Sequence, residues 1–266
     1  MRRAAAIAIL AASAILAGCG TLPDGRIWGA DATWRPGMTR IRDAAVGAAR
    51  DPYVWAPLAG AAVVQIDDWD ERISDWAREH TPVFGSQADA ERWSDDLRDA
   101  SVLAHWATIL ATPGGDDPGQ WLVAKAKGGL VSAAAVASTV AITRGLKTTV
   151  DRDRPNGEDD ESFPSGHTSS SAVHTRLASR NLRFMPIGAA TRRTLDAGLA
   201  ALTVGTSWAR IEAGYHFPSD TLFSVALGNF IGSFVNDAFL GSGPGDASVA
   251  MQPLPGGAML EVRVGF

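Results

Sequence analysis

A chain of 266 residues that is 46% hydrophobic and 20% charged has the profile of a globular protein with one sizeable core, so one domain with appendages is expected. Its 24 basic and 29 acidic residues give a formal net charge of -5 with no long basic run, so the clustered Lys and Arg of a nucleic-acid footprint are missing and no nucleic-acid partner is expected. The single cysteine, Cys19, excludes a disulfide within the chain.

The N-terminus opens Met1-Arg2-Arg3 and runs on through Ala, Ile and Leu to Ala17, a positive segment followed by the short apolar stretch of a secretory signal. It closes on Leu16-Ala17-Gly18-Cys19, which resembles the bacterial lipobox, in which the cysteine is lipidated and becomes the first residue of the mature protein. Residues 1–18 therefore read as a lipoprotein signal peptide with Cys19 as the lipidation site. Under that resemblance Gly20, standing where an aspartate would signal otherwise, implies a lipid anchor in the bacterial cell envelope, at the outer membrane and facing the periplasm. Residues 19–50, rich in Gly, Pro, Asp and Arg without periodicity, read as a tether.

Helical signals fill residues 51–240. Ile66, Trp69, Ile73 and Trp76 recur at three- and four-residue steps and predict a helix with one apolar core-facing stripe. Ser86 to Asp89 is a variant capping box that opens a helix reaching about Leu110, before Pro113 to Pro118 breaks the chain. Residues 121–149 predict a longer helix whose middle, 129–143, is Ala-rich and apolar nearly all round, so the helix is expected to be central and buried. Further helices are expected over 166–182, 190–211 and 218–239. None reaches about eighteen unbroken strongly apolar residues, so the pattern reads as a soluble bundle on a lipid anchor. In residues 241–266 two short runs flank Pro255-Gly256-Gly257, and Leu260, Val262, Val264 and Phe266 alternate with Glu261, Arg263 and Gly265. The expected class is all-α, a bundle of about six core helices with the active site at helix ends, plus a linker and a short C-terminal β-hairpin.

The chemistry concentrates between residues 147 and 220. Pro164 suits the first position of a helix, which would leave the N–H groups of Ser165, Gly166 and His167 pointing outward as an anion site. Lys147 and Arg154 precede it around a helix end expected near Asp153, because the residue before Pro155 is driven out of helical geometry. Downstream, Pro218 places His216 in a loop and Asp220 in the first turn of the last long helix, where a carboxylate can accept the imidazole N–H and leave the other ring nitrogen free to attack. Either histidine alone would more often be structural. His174 reads as packing or support for the site, and the acids at 158–161 as a solvated loop without the spacing of a cation site.

Lys147-x6-Arg154-Pro155, Pro164-Ser165-Gly166-His167 and Arg210-x5-His216-x3-Asp220 together resemble the three-part signature of the type 2 phosphatidic acid phosphatase superfamily, which includes acid phosphatases, lipid phosphatases and vanadium haloperoxidases. The one departure is Ala209, where the family usually has serine. The resemblance implies that His216 attacks phosphorus, Asp220 orients it, and His167 protonates the leaving oxygen and then activates water. Lys147, Arg154, Arg210 and the N–H groups of Ser165 and Gly166 would hold the equatorial oxygens. It implies no metal and no cofactor, and a phosphorylated small molecule or lipid head group as substrate. A vanadate-dependent haloperoxidase, a non-catalytic envelope lipoprotein and a multi-spanning lipid phosphatase remain as alternatives.

Overall fold

The computed structural model describes residues 18–22, 25–241, 248–254 and 257–263; residues 1–17 of the expected signal peptide lie outside them. Eight α-helices follow in chain order: α1 Met38–Arg50, α2 Pro52–Val63, α3 Trp69–His80, α4 Gln87–Ala111, α5 Pro118–Val150, α6 Gly166–Leu182, α7 Ala189–Glu212 and α8 Pro218–Val235. The expectation of about six core helices with a C-terminal hairpin therefore needs correction. The folded body is wholly helical, with eight α-helices in place of about six and, among the described residues, no strand packed into it: strand pairing is confined to Ser248–Leu254 against Gly257–Arg263, which pair only with each other.

Local chemistry explains where the helices start. Asp51, Ser86 and Asp117 each accept a backbone N–H of the first turn of α2, α4 and α5, and proline stands at the first turn of α2, α5 and α8. At 33 residues, α5 is about 50 Å long and runs from one end of the bundle to the other.

At the centre lies α6, buried along nearly its whole length and packed against α4, α5, α7 and α8. Helix α5, expected to be central, is peripheral: it buries only a narrow strip that includes Val131, Ala135 and Thr139, while Leu122, Val123, Leu130, Val140 and Ile142 face outward. The Ile66/Trp69/Trp76 stripe is likewise turned out, at 65%, 51% and 47% exposure, and the opposite face of α3, with Asp70, Ser74 and Ala77, is buried. Periodicity marks an apolar face correctly but does not say what covers it.

The same inversion runs through the bundle. Between helices, Ser101 meets Ser171 at 2.8 Å, Thr175 meets Thr203 at 2.8 Å, and Thr143 meets Ser169 at 3.1 Å. His174 Nδ1 lies 2.9 Å from His105 Nδ1, whose Nε2 is 3.2 Å from Ser132 Oγ, so His174 is a core packing group. Arg176 pairs with Asp51 and Arg180 with Asp237. Outside, α5 presents no charge between Lys127 and Arg144, a stretch of about 25 Å. Trp55 and Leu58 on α2, Leu103 and Trp106 on α4, and Val204 on α7 extend that apolar belt around the bundle. By length and composition, α5 and the segment Pro218–Leu240 each suffice to cross a membrane, contrary to the expectation that no helix would.

The segment read as a tether is packed. Trp28 is fully buried against Gly128, where an added Cβ would lie 1.8 Å from the ring, and Lys125 stands 5.2 Å from the same ring. The Lys125 ammonium donates to the carbonyls of Ile109 and Thr112 and to Thr112 Oγ1. Gly20 pairs with Gly115, three residues before α5 begins, so exposed Cys19 lies toward the end of α5 opposite Lys147.

Neighbouring glycines on α5 should then respond with opposite signs. Gly128→Val must displace Trp28 and should lower stability by about 1–3 kcal/mol, whereas Gly129→Ala meets nothing within 4 Å and should raise it by about 0.5–1 kcal/mol through helix propensity. Thermal unfolding of the two variants checks this; equal shifts would contradict the packing of Trp28.

Candidate active site

Four helix ends converge at the end of the bundle away from Cys19. The last turn of α5 supplies Lys147, and Asp151, in the left-handed region at φ 47°, ends that helix two residues before the expected stop. The chain then enters a loop carrying Arg152 and Arg154, held by Ser162 N–H to Arg152 O and Arg154 N–H to Asp159 O, each 2.9 Å. It feeds into α6, which starts at Gly166 with Ser165 as its cap and not at Pro164. The C-terminal end of α7 brings Arg210, and the turn between α7 and α8 brings His216.

His216 is 2% exposed, and its Nδ1 donates to the Ser162 carbonyl at 2.5 Å, which leaves Nε2 as the unprotonated nitrogen. Burial, then the Arg210 and Lys147 charges, hold its proton affinity well below the usual histidine range. The ring is therefore neutral and nucleophilic at neutral pH. Asp220 does not touch it. The Asp220 carboxylate instead accepts Ser162 Oγ–H at 2.6 Å, Phe217 N–H at 2.8 Å and Arg152 Nη1 at 2.7 Å. It orients the imidazole at one remove, by fixing Ser162 on one side and the chain beside His216 on the other.

Around this ring lie the cations. Lys147, Arg154 and Arg210 all act on His216. Tyr215 keeps the two arginines apart and in place, with the Arg154 guanidinium 5.0 Å and the Arg210 guanidinium 3.9 Å from its ring, while its hydroxyl donates to Glu91 at 2.8 Å. Arg210 Nε is buried without a hydrogen-bond partner among the described residues. Such a donor fits an oxyanion. The acidic loop closes over the same group: Lys147 donates to the Glu161 carbonyl, and Arg154 pairs with Asp159 at 2.6 Å. Burial and the Arg154 charge lower Arg210 to about 10, still cationic at neutral pH.

Of the three N–H groups expected to face an anion, that of Ser165 is taken by Ser224 Oγ at 2.7 Å. Gly166 and His167 remain at the start of α6, and nothing lies within 4 Å of a Cβ placed on Gly166, so an anion can approach the backbone there. His167 Nε2 is 2.8 Å from Asp95 Oδ1 and 2.9 Å from Arg98 Nη1, both on α4. Its proton affinity is lowered by burial and Arg210 and raised by Asp95. Ala209 is fully buried.

Several contributors carry no local signature in the sequence. Asp95 and Arg98 sit amid a charged run; Arg152 sits two residues before the more conspicuous Arg154-Pro155; Asp70 and Ser224 reach the site only through tertiary packing. Among the described residues no group of three or more His, Cys, Asp or Glu is arranged to hold a metal ion.

No curated protein matches the chain. A solved structure, described as that of the first transmembrane PAP2 type phosphatidylglycerolphosphate phosphatase from Bacillus subtilis, shares the fold at a TM-score of 0.52 and 19% identity, covering 68% of this chain and 91% of that one. The model of the PAP2 superfamily matches residues 128–241, which include Lys147, Arg154, Ser165, Gly166, His167, Arg210, His216 and Asp220. Over that segment, and in its fold, the chain is similar to the PAP2 superfamily.

Proposed function

We propose that this protein is a metal-independent phosphatase of lipid phosphates or related phosphate esters that works through a phosphohistidine. The observation that carries the reading is the protonation state imposed on His216: its Nδ1–H is committed to the Ser162 carbonyl, so Nε2 faces the cation cluster as a lone pair. Nε2 attacks phosphorus while the bond to the leaving oxygen breaks and His167 delivers a proton to that oxygen. Neutral His167 then takes a proton from water as its oxygen attacks the phosphohistidine, releasing phosphate and restoring both rings. Lys147, Arg154, Arg210 and the Gly166 N–H stabilise the charge on the three equatorial oxygens.

The apolar belt and polar interior support a membrane-bound enzyme, because in lipid the outward side chains need no cover and interhelical hydroxyl bonds hold the bundle. The catalytic groups stand beyond the belt, at the helix ends. A second anchor is favoured by the lipobox: an acyl chain on Cys19 would hold the opposite end of the molecule in the cell envelope.

The two histidines should be separable by leaving group. His216→Ala should abolish turnover of every ester, whereas His167→Ala should lose about 10²–10⁴-fold on an alkyl phosphate and far less on a nitrophenyl phosphate, measured as kcat/KM. Both rings titrate below the ordinary 6.5. The nucleophile thus stays neutral to lower pH, while the acid loses its proton as pH rises through its lowered value. Alkyl esters should show an optimum below pH 6.5 and the nitrophenyl ester a plateau extending above it. Equal losses in the two mutants on both substrates would overturn the division of roles.

Anchoring can be read separately. Cys19→Ala should lose incorporation of labelled fatty acid yet remain in the membrane fraction after carbonate washing, because the belt holds it. Release into the soluble fraction would make the acyl chain the sole anchor.

A further inference from the structure

Helix α3 faces two ways. Inward, Asp70 is fully buried and accepts Ser219 N–H at 2.7 Å, Ser219 Oγ–H and Arg152 Nη2 at 2.9 Å. Arg78 Nη1 donates to the Pro155 carbonyl at 2.6 Å. Just past the helix, the Val83 and Phe84 N–H groups are both taken by the fully buried Glu212 carboxylate, each at 3.0 Å. These contacts fasten α3 to the Arg152–Pro155 loop, to the end of α7 two residues beyond Arg210, and to the first turn of α8 that follows His216.

Outward, α3 shows the Ile66/Trp69/Trp76 stripe described above, which Val83 prolongs. The stripe continues the exposed apolar face of α2, where Trp55, Leu58 and Val63 lead directly into Ile66. Asp68, Glu71, Arg72, Asp75 and Glu79 flank it, and Arg72 stacks over Trp69 at 5.1 Å. Asp67 and Asp68 before the helix and Thr81 after it adopt left-handed backbone, so α3 is set at an angle by reversals at both ends. A helix with Trp and Ile on one face and charge on the rest, at the rim of an apolar belt, has the composition of one that lies in a membrane interface.

We infer that α3 is a membrane-interface helix: its Trp69/Trp76 face rests in the headgroup layer of a lipid bilayer beside the catalytic centre, and its Asp70 face braces that centre for phosphate esters presented from the same surface. This deepens the phosphatase reading and rests on it for the substrate. Trp is suited to that layer because its ring is apolar and its N–H remains hydrogen-bonded to the interface.

The test is the full-length chain carrying Trp69→Ser and Trp76→Ser together, reconstituted in phosphatidylethanolamine/phosphatidylglycerol vesicles. Hydrolysis of phosphatidate in the vesicles should fall at least about tenfold from the loss of two aromatic contacts, while hydrolysis of nitrophenyl phosphate in solution stays unchanged. Quenching of tryptophan fluorescence by headgroup-proximal brominated lipid should also drop in the variant. A parallel loss on both substrates, no loss on phosphatidate, unaltered quenching, or conversion of a dimer to a monomer with phosphatidate activity intact would each overturn the inference. A wild-type protein that hydrolyses neither ester would refute the phosphatase reading instead, and the quenching would still decide the placement of α3.

Discussion

The catalytic end of this molecule depends on Arg152, which lies between two carboxylates that have no exposed surface. Asp70 and Asp220 are both fully buried, and each would be costly to desolvate without a cation. Arg152 reaches Asp220 at 2.7 Å and Asp70 at 2.9 Å, and its guanidinium lies 4.1 Å from the centre of the Phe217 ring. Removing one member of such a buried set costs on the order of 3–5 kcal/mol, because the partners are left charged and unpaired. The geometry of the nucleophile follows from this chain. Asp220 holds Ser162, Ser162 receives the His216 Nδ1–H, and Nε2 is turned to the cations.

That arrangement explains a carboxylate near a histidine that it never touches. A direct Asp–His pair would stabilise the imidazolium and favour protonation of the nucleophile. A neutral carbonyl fixes the tautomer with less pull on the proton, and burial, together with the Arg210, Lys147 and Arg154 charges, then keeps the ring neutral. In the proposed reaction the cations that lower the proton affinity of His216 would also meet the phosphoryl oxygens, so that one set of charges would serve both activation of the nucleophile and stabilisation of the transition state.

The three motif segments were legible because their geometry is set locally, by Pro218 at the start of α8, by Ser165 at the start of α6 and by the end of α5 ahead of Arg154-Pro155. What escaped the sequence came from contacts far apart in the chain. Asp95 reaches His167 across 72 positions and Asp70 reaches Ser219 across 149, and neither sits in a recognisable pattern. The Trp69/Trp76 stripe misled for a different reason. Helical periodicity separates one face from another, but an apolar face can be covered by protein or by lipid, and the sequence pattern is the same in both cases. The Ser and Thr positions of the interior are equally ambiguous until their partners on neighbouring helices are seen.

The central claim is that phosphorus passes through His216, and rapid acid- and alkali-quench experiments with phosphorus-labelled substrate, followed by peptide mapping, test it most directly. With His167→Ala and a nitrophenyl ester, where formation of the phosphoenzyme is fast and its hydrolysis slow, acid-labile and base-stable label should accumulate on the peptide containing His216. Label on any other residue, or steady phosphate release with no labelled enzyme at all, would contradict the account.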